Sequence, residues 1–524
     1  MPVNNQHPQH RNMVNLWERC IAVAKGQDAV HAAGELFLPK LSNQESADYE
    51  KYKKRALFYN ATWRTIVGLQ GMIFRKPPTV VLPGTVEDMK KDIDMSGTSL
   101  HMLCLKLVEE ALKLGRVGLF VDYPDVPADA TQADGADKNW RPMLKMYGAL
   151  SIRNWKTSVY KSATILSMVV LEEIVSVPKD EFTDEDQVQF RVLDLVPNNE
   201  VDSVGNLLHP GKLMYRVRVM VVEQDDKGKD VDKVISTSYP KIRGKHIEKL
   251  PFHFIGVDNT SWDISEPPLI DLVDTNLAHY RVTADYEHGC HFTGLPTPVI
   301  SGVTDEDLAD GAFNIGSTTA WTFRRHEATA HYLEFTGQGL NVLKENLEGK
   351  ENKMAVMGAR MLEAQPSGVE SANTAAIHRG GEQSMLASVA QSVSIGVTAA
   401  MVEFCEYAEE DSKDVLVELN RDFFPIPMDS LTMTAVIAAW QNGAISYETM
   451  FENLKRGEII PMDGDAEEEQ KRIKENPPPA QDVPTTPGDR AGNGPNQGAS
   501  KGVVTKKGAT SNNPTQTQLQ NAGK

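Results

Sequence analysis

The sequence predicts an α+β chain, and three of its stretches carry that prediction. Residues Pro267 to Glu363 hold two long amphipathic helical patterns around a β-rich segment marked by Pro and Gly. Between Ser151 and Phe254 the pattern changes to short alternating runs such as QVQFRVLDLV and LMYRVRVMVVEQ, which read as an antiparallel β subdomain. From Glu382 to Glu409 a further helical pattern aligns Leu386, Val389, Val393, Val397, Ala400 and Phe404 on one face, long enough for the spine of a domain. At 524 residues the chain exceeds what one core usually supports, so roughly two to four subdomains are expected.

Each element has a local reason. Asn15 to Lys25 and Asp28 to Leu36 read as short helices, and Asn43 to Phe74 as one longer helix stopped by Pro77 and Pro78, which bias the residue before them to extended backbone. Its aromatic residues Tyr49, Tyr52, Tyr59 and Trp63 are expected in core or subunit packing. The helix Leu100 to Leu114 leads through Gly115 into an apolar strand, Val117 to Val121, and Asp125 to Lys138 reads as a surface loop. Arg216 and Arg218 alternate with Val217 and Val219, so that strand should have one wet face. The first long helix opens on Pro267 and Pro268 after Ser265 and repeats Leu269, Val273, Leu277, Tyr280 and Ala284. The second repeats Leu340, Leu343, Leu347, Met354, Met357 and Met361. QPSGVESANTAA, rich in small and polar residues, reads as a mobile loop. After the spine come the strand VLVELNRDF and helices near Leu431 to Gln441 and Tyr447 to Arg456. From Asp463 onward the composition lacks any aromatic residue and cannot bury enough apolar area to offset its ordering entropy, so disorder is expected.

Charge and motifs exclude several functions. The chain carries −18 overall, and the last fifty residues hold five basic and three acidic ones, leaving −20 on the rest. A body this acidic cannot draw affinity from releasing phosphate counterions, although −20 is also ordinary solubility charge. Cys20, Cys104, Cys290 and Cys405 lie far apart without a CxxC pair and read as reduced, packed thiols. There is no signal-peptide pattern and no run of apolar residues long enough to span a bilayer, so a non-membrane, non-exported protein is expected. GxxxxGK[ST] and HExxH are absent, which argues against ATP hydrolysis by a phosphate-binding loop and against the common zinc-protease signature.

Glu287, His288, Cys290 and His291 form the one metal-like cluster. His288 and His291 share a helix face, while His279 falls on the opposite side, so the ligand set is incomplete and polar packing is the competing reading. A metal-dependent hydrolase built on His288 and His291 is the alternative function. On the second long helix, Lys350, Lys353 and Arg360 lie close in angle, either as a solvated face interleaved with Glu345, Glu348 and Glu351 or as a basic patch of functional use.

The segments DYEHGCHFTGLPTPVISG, HYLEFTGQGLNVLKENL and KENKMAVMGARMLE, with YKKRALFYNATWRTIVGLQGMIFRKPP and GRVGLFVDYP, resemble the portal proteins (head-to-tail connectors) of tailed bacteriophages, in a subgroup long known only as a conserved domain of unknown function. The resemblance runs from about Gly26 to Glu475. It implies a non-enzymatic homo-oligomeric ring, usually a dodecamer, at one capsid vertex, through which double-stranded DNA is packaged and ejected without sequence-specific binding. It implies a wing over 1–266, stem helices over 267–294 and 338–363, a small α/β clip over 295–337, and a tunnel loop over 364–376. A spine, wing return and short crown over 377–462 and a disordered tail over 463–524 complete the fold. On the same footing Lys350, Lys353, Arg360, Val369, Glu370 and Asn373 would line the DNA channel, and Trp321, Phe323, Arg324 and Arg325 would face the terminase large subunit and then the neck and tail adaptor proteins. The major capsid protein is a further implied partner, no cofactor or metal is implied, and the location is the virion vertex, with the host cytoplasm during assembly. The apolar stripes of the stem, with Leu347 in the seam, are expected to be buried between neighbouring copies.

Overall fold

The computed structural model describes residues 2–124, 140–201, 206–242, 244–294, 297–302, 327–333, 337–359, 372–421, 423, 428, 430–457, 459–460 and 464–476, with the backbone alone at 297–298, 333, 359 and 372–384. It is an α+β protein and divides into two compact units, Met1–Pro427 and Met428–Lys524.

The first unit opens with four helices, α1 (Pro8–Lys25), α2 (Gln27–Ala32), α3 (Ser46–Arg55) and α4 (Ala61–Ile73). The single helix expected over Asn43 to Phe74 is therefore two. The break has a polar cause: Phe58 N–H donates to Gln27 Oε1 at 3.1 Å, and Asn60 donates to Ala24 O at 3.0 Å, so this stretch bonds to the first helices instead of to itself. Asn60 Oδ1 then restarts the helix by accepting from Trp63 N–H at 2.9 Å.

After β1 (Thr79–Val81) and the short turn α5 (Gly84–Glu87), helix α6 (Leu100–Leu114) begins on the Ser99 cap and ends at Gly115, at φ 72°. A β-carbon on Gly115 would sit 2.8 Å from Ser265 O, so this left-handed, tightly packed stop admits only glycine. The chain enters β2 (Arg116–Asp122), paired antiparallel with β3 (Met143–Gly148). Arg116 is buried with its guanidinium between the rings of Trp155 and Phe254, at 4.2 and 4.3 Å, and donates to Trp262 O at 2.8 Å.

A five-stranded antiparallel meander follows: β4 (Ile152–Tyr160), β5 (Ala163–Pro178), β6 (Asp184–Pro197), β7 (Leu213–Gln224) and β8 (Asp230–Ser238). One face buries Val169, Leu171, Leu193, Tyr215 and Val217 in the main core. The other buries Val170, Phe190, Val192 and Met220, with Val3 of the N-terminal segment packed over them. The expected wet face of β7 is instead an ion-pair seam. Arg216 straddles Asp194 with bonds of 2.9 and 2.7 Å, and Arg218 joins at 2.8 Å. After the small hairpin β9 (Lys241–Ile242) and β10 (Lys245–His246), strand β11 (Phe252–Gly256) leaves this sheet and pairs with β2.

Helix α7 (Ile270–Gly294), hairpin strands β12 (Thr297–Ser301) and β13 (Thr329–Leu333), and helix α8 (Gln338–Met354) come next, with a π-helical turn at Ala355–Ala359. The spine, α9 (Ala372–Tyr407), is helical from Ala372 rather than Glu382, so residues 372–376 of the expected loop belong to it. Met385–Tyr407 is long and apolar enough to cross a membrane by length and composition, but half of that stretch is buried in the core against β11, β2 and α6. Glu403 ties it down, 3.0 Å from His253 and 2.9 Å from Lys249. Burial works against its charge, yet those two partners hold its carboxyl below the usual range. Strand β14 (Leu416–Glu418) returns to pair with β1.

The second unit holds α10 (Ser430–Gln441), α11 (Tyr447–Arg456) and α12 (Ala466–Glu475). Helix α12 corrects the expectation of disorder from Asp463. Asp465 caps it by accepting from Glu467 and Glu468 N–H at 2.7 and 3.0 Å, and acidic residues in its first turn with basic ones in its last suit the helix dipole.

Candidate functional site: the two-helix arm

Helices α7 and α8 run antiparallel, joined at one end through the β12–β13 hairpin. Their register is set by small residues and a few polar pairs. Gly337 lies against Thr293, a β-carbon on Gly289 would come within 2.6 Å of Leu340 Cδ2, and His279 Nε2 lies 3.2 Å from Glu351 Oε1. At the opposite end Thr275 Oγ1 donates to Met357 Sδ at 3.9 Å.

That lower end is fastened to the N-terminal helices. The buried Asn276 amide accepts from Thr62 N–H and Oγ1 at 3.2 and 3.0 Å and donates to Tyr59 O at 2.7 Å. Leu272 and Met354 close a small core with Ala61. Higher up, Tyr52 donates to Asp285 at 2.6 Å, and burial together with that carboxylate pushes its phenol well up from the ordinary value. Arg281 donates to Phe37 O at 2.8 Å. An arm held by this many satisfied polar bonds is a rigid lever rather than a loose appendage.

The apolar stripe of α8 divides differently from expectation. Leu347 is 9% and Met354 1% exposed, so both are packed inside the chain, whereas Val342 is 66% exposed. Met361 lies outside the described residues. Lys353 is exposed, Lys350 bonds to Asn346, and Lys344 approaches Glu348 at 4.0 Å. Asn373 stands in the first turn of α9. Arg360, Val369 and Glu370, like Trp321, Phe323, Arg324 and Arg325 of the expected clip, lie outside the described residues.

His288 and His291 do not converge as ligands. His288 packs edge-on against Tyr52 and Phe292, and burial followed by the nearby Arg55 charge lowers its pKa. Arg55 donates to His291 Nε2 at 3.0 Å, which occupies the lone pair a metal would need. Among the described residues no three His, Cys, Asp or Glu side chains are placed to hold a metal ion.

The sequence places Tyr59 and Trp63 with Tyr49 and Tyr52 in core or subunit packing. The latter two are buried, but Tyr59 and Trp63 are on the surface beside Leu57, Arg64 and Val67. The signal was present: in ATWRTIVGL the apolar Ile66 and Leu69 already fill the inward face, leaving Trp63 and Val67 one turn apart on the outward one.

A family model described as a domain of unknown function, DUF4055, matches residues 268–408, the stretch that contains the arm and the spine. No curated protein matches. Among solved structures, a chain of the virion of a native gene transfer agent particle aligns with TM-score 0.36 and 12% identity, covering 82% of this chain and 96% of that one. A chain from the neck of the empty particle aligns with TM-score 0.36 and 10% identity, over 78% and 93% of the two chains. One from the neck of the native particle gives 0.33 and 9%, over 81% and 98%. Likenesses at this level define neither a fold family nor an activity.

Proposed function

We propose that this chain is a portal subunit, one copy of a ring at the capsid vertex of a tailed phage through which DNA enters and leaves. The observation that carries the proposal is the arm itself. Two antiparallel helices are braced by α4 at one end and by α3 further along, carry the paired strands β12 and β13 beyond the other end, and are followed in the chain by a spine helix buried in the core. Repeated around an axis, such arms make a channel wall, and the hairpins make a rim on which the terminase large subunit and then neck and tail proteins can dock. The sequence blocks that resemble portal proteins fall on these same elements. A net charge of −18 suits a conduit, because a wall that repels phosphate lets a duplex slide. Lys350 and Lys353, with Arg360, are the residues proposed to line it, followed by the segment holding Val369 and Glu370 and by Asn373 at the start of the spine. The ring would sit in the virion and assemble in the host cytoplasm against the major capsid protein. The chain is assigned no catalytic step and no cofactor.

Negative-stain imaging and native mass spectrometry of the purified chain test this reading. The expected result is a closed ring with a central hole, most simply of twelve copies, that binds duplex DNA weakly and without sequence preference. A stable monomer at micromolar concentration overturns it.

A further inference from the structure

The charge of this chain is unevenly placed. Residues 1–76 hold 11 Lys and Arg against 6 Asp and Glu, and the remainder holds 43 against 66, so a basic N-terminal segment is attached to a body of strongly negative charge. One exposed part of that segment is an aromatic and aliphatic cluster. Trp63 and Val67 stand one turn apart on the outer face of α4, with Leu57 and Tyr59 beside them. Arg64 lies over the Tyr59 ring at 4.8 Å and donates to its hydroxyl at 3.1 Å. Trp, Tyr and Arg clustered with aliphatic neighbours is the composition of a binding hot spot, and nothing within the described chain covers it.

The counterpart lies elsewhere in the same unit. Strands β5 and β6 outrun the core: Val169 to Leu171 and Phe190 to Asp194 are packed or nearly so, but Ile174, Val177 and Val188 are exposed. At the turn between the strands stands Phe182, 90% exposed, in the sequence Lys179-Asp-Glu-Phe-Thr-Asp-Glu-Asp186, which places five carboxylates within four residues of the ring. An aromatic side chain held out on a two-stranded arm loses its hydrophobic stabilisation unless another surface receives it.

We infer that the hairpin tip around Phe182 of one copy seats on the Tyr59–Trp63–Arg64 patch of the next copy. This rests on the ring reading and gives it a contact. The match is electrostatic and apolar at once: the carboxylates flanking Phe182 meet Arg64, and Phe182 meets Trp63 and Val67. The two surfaces differ, so the contact is heterologous. A heterologous contact does not stop at a dimer, and where its rotation closes it makes a ring. Two-sided exposure of the outer hairpin follows naturally, since it is the part of the sheet that leaves its own subunit.

The experiment uses full-length chains carrying Cys290→Ser, because the other three cysteines are buried. Phe182→Cys chains and Trp63→Cys chains are assembled together and treated with a short bismaleimide. A covalent dimer in the mixture but with neither variant alone supports the contact, as does a ladder of linked species from the chain with both substitutions. In parallel, Arg64→Glu should lower ring yield several-fold, and combining it with Asp180→Lys and Glu181→Lys should restore it. Closed rings by native mass spectrometry with no cross-link in the mixture and no effect of Arg64→Glu overturn this inference and leave the ring standing. Monomers alone from the unmodified chain overturn both.

Discussion

Gly358 is seated on Thr65. A β-carbon at position 358 would lie 2.4 Å from Thr65 Cγ2 and 2.5 Å from its Oγ1, so the π-helical turn at the base of the arm reaches α4 only because glycine leaves that space empty. The extra residue of a π turn re-aims the chain at this point, and the close approach fixes where α8 ends against the body. Gly358→Ala should therefore destabilise the chain by about 1–3 kcal/mol through overpacking. The neighbour decides the size of the effect, so Thr65→Ala in the same chain should recover much of it. A double-mutant cycle on urea unfolding checks this, and additive costs would mean that the two residues do not share the contact.

The N-terminal segment supplies a pH dependence. His10 is buried, its Nε2 lies 3.2 Å from Leu150 O, and its Nδ1 has no partner. Burial outweighs the backbone bond and, with the nearby charges of Arg153 and Arg116, lowers its pKa from 6.5 to about 4. Above pH 6.5 the ring is neutral in both folded and unfolded chains and contributes no slope. Between 6.5 and about 4 the unfolded chain takes up the proton and the folded chain does not, so stability falls as pH falls through that window and levels off below it. His10→Gln keeps a donor for Leu150 O but cannot take up the proton. Unfolding measured from pH 7 downward should lose stability less steeply in that variant than in the parent, and equal slopes would assign the effect elsewhere.

On the meander, Asp194 is the one carboxylate shared by Arg216 and Arg218. Asp194→Ala should cost about 3 kcal/mol, because it strands two guanidinium groups on a partly buried face. Replacing Arg216 and Arg218 by Met in the same chain should return most of that stability. If the single and triple variants unfold at the same denaturant concentration, the seam contributes packing rather than charge.

How much of this was legible in the sequence differs by element, for physical reasons. Helix α6 was readable to both ends because Ser99 is a local start signal, Gly115 a local stop signal, and its apolar spacing faces one core. The break between α3 and α4 was not, since Asn60 and Phe58 bond to Gln27 and Ala24 far away in sequence. The alternation around Arg216 and Arg218 announced a polar face on β7, but only pairing with β6 could place Asp194 opposite them. In the same way the arm was legible as two amphipathic helices, while the choice of which stripe faces inward depended on α4 and α7.

That choice decides the last prediction. If copies meet along the arm, a seam residue must be exposed in the single chain, and Leu347, packed between α7 and α8, is not. Leu347→Asp should therefore unfold the arm itself, placing a charge in an apolar contact at a cost of several kcal/mol, and the loss should appear in circular dichroism of the monomer. Val342, on the outward side of α8 and 66% exposed, is the residue to test for assembly. Val342→Asp should leave helix content and the unfolding midpoint of the isolated chain unchanged while reducing the fraction of rings in native mass spectra. Rings of normal yield from Val342→Asp would show that this face of α8 looks into solvent or the lumen and that neighbouring arms touch along another face.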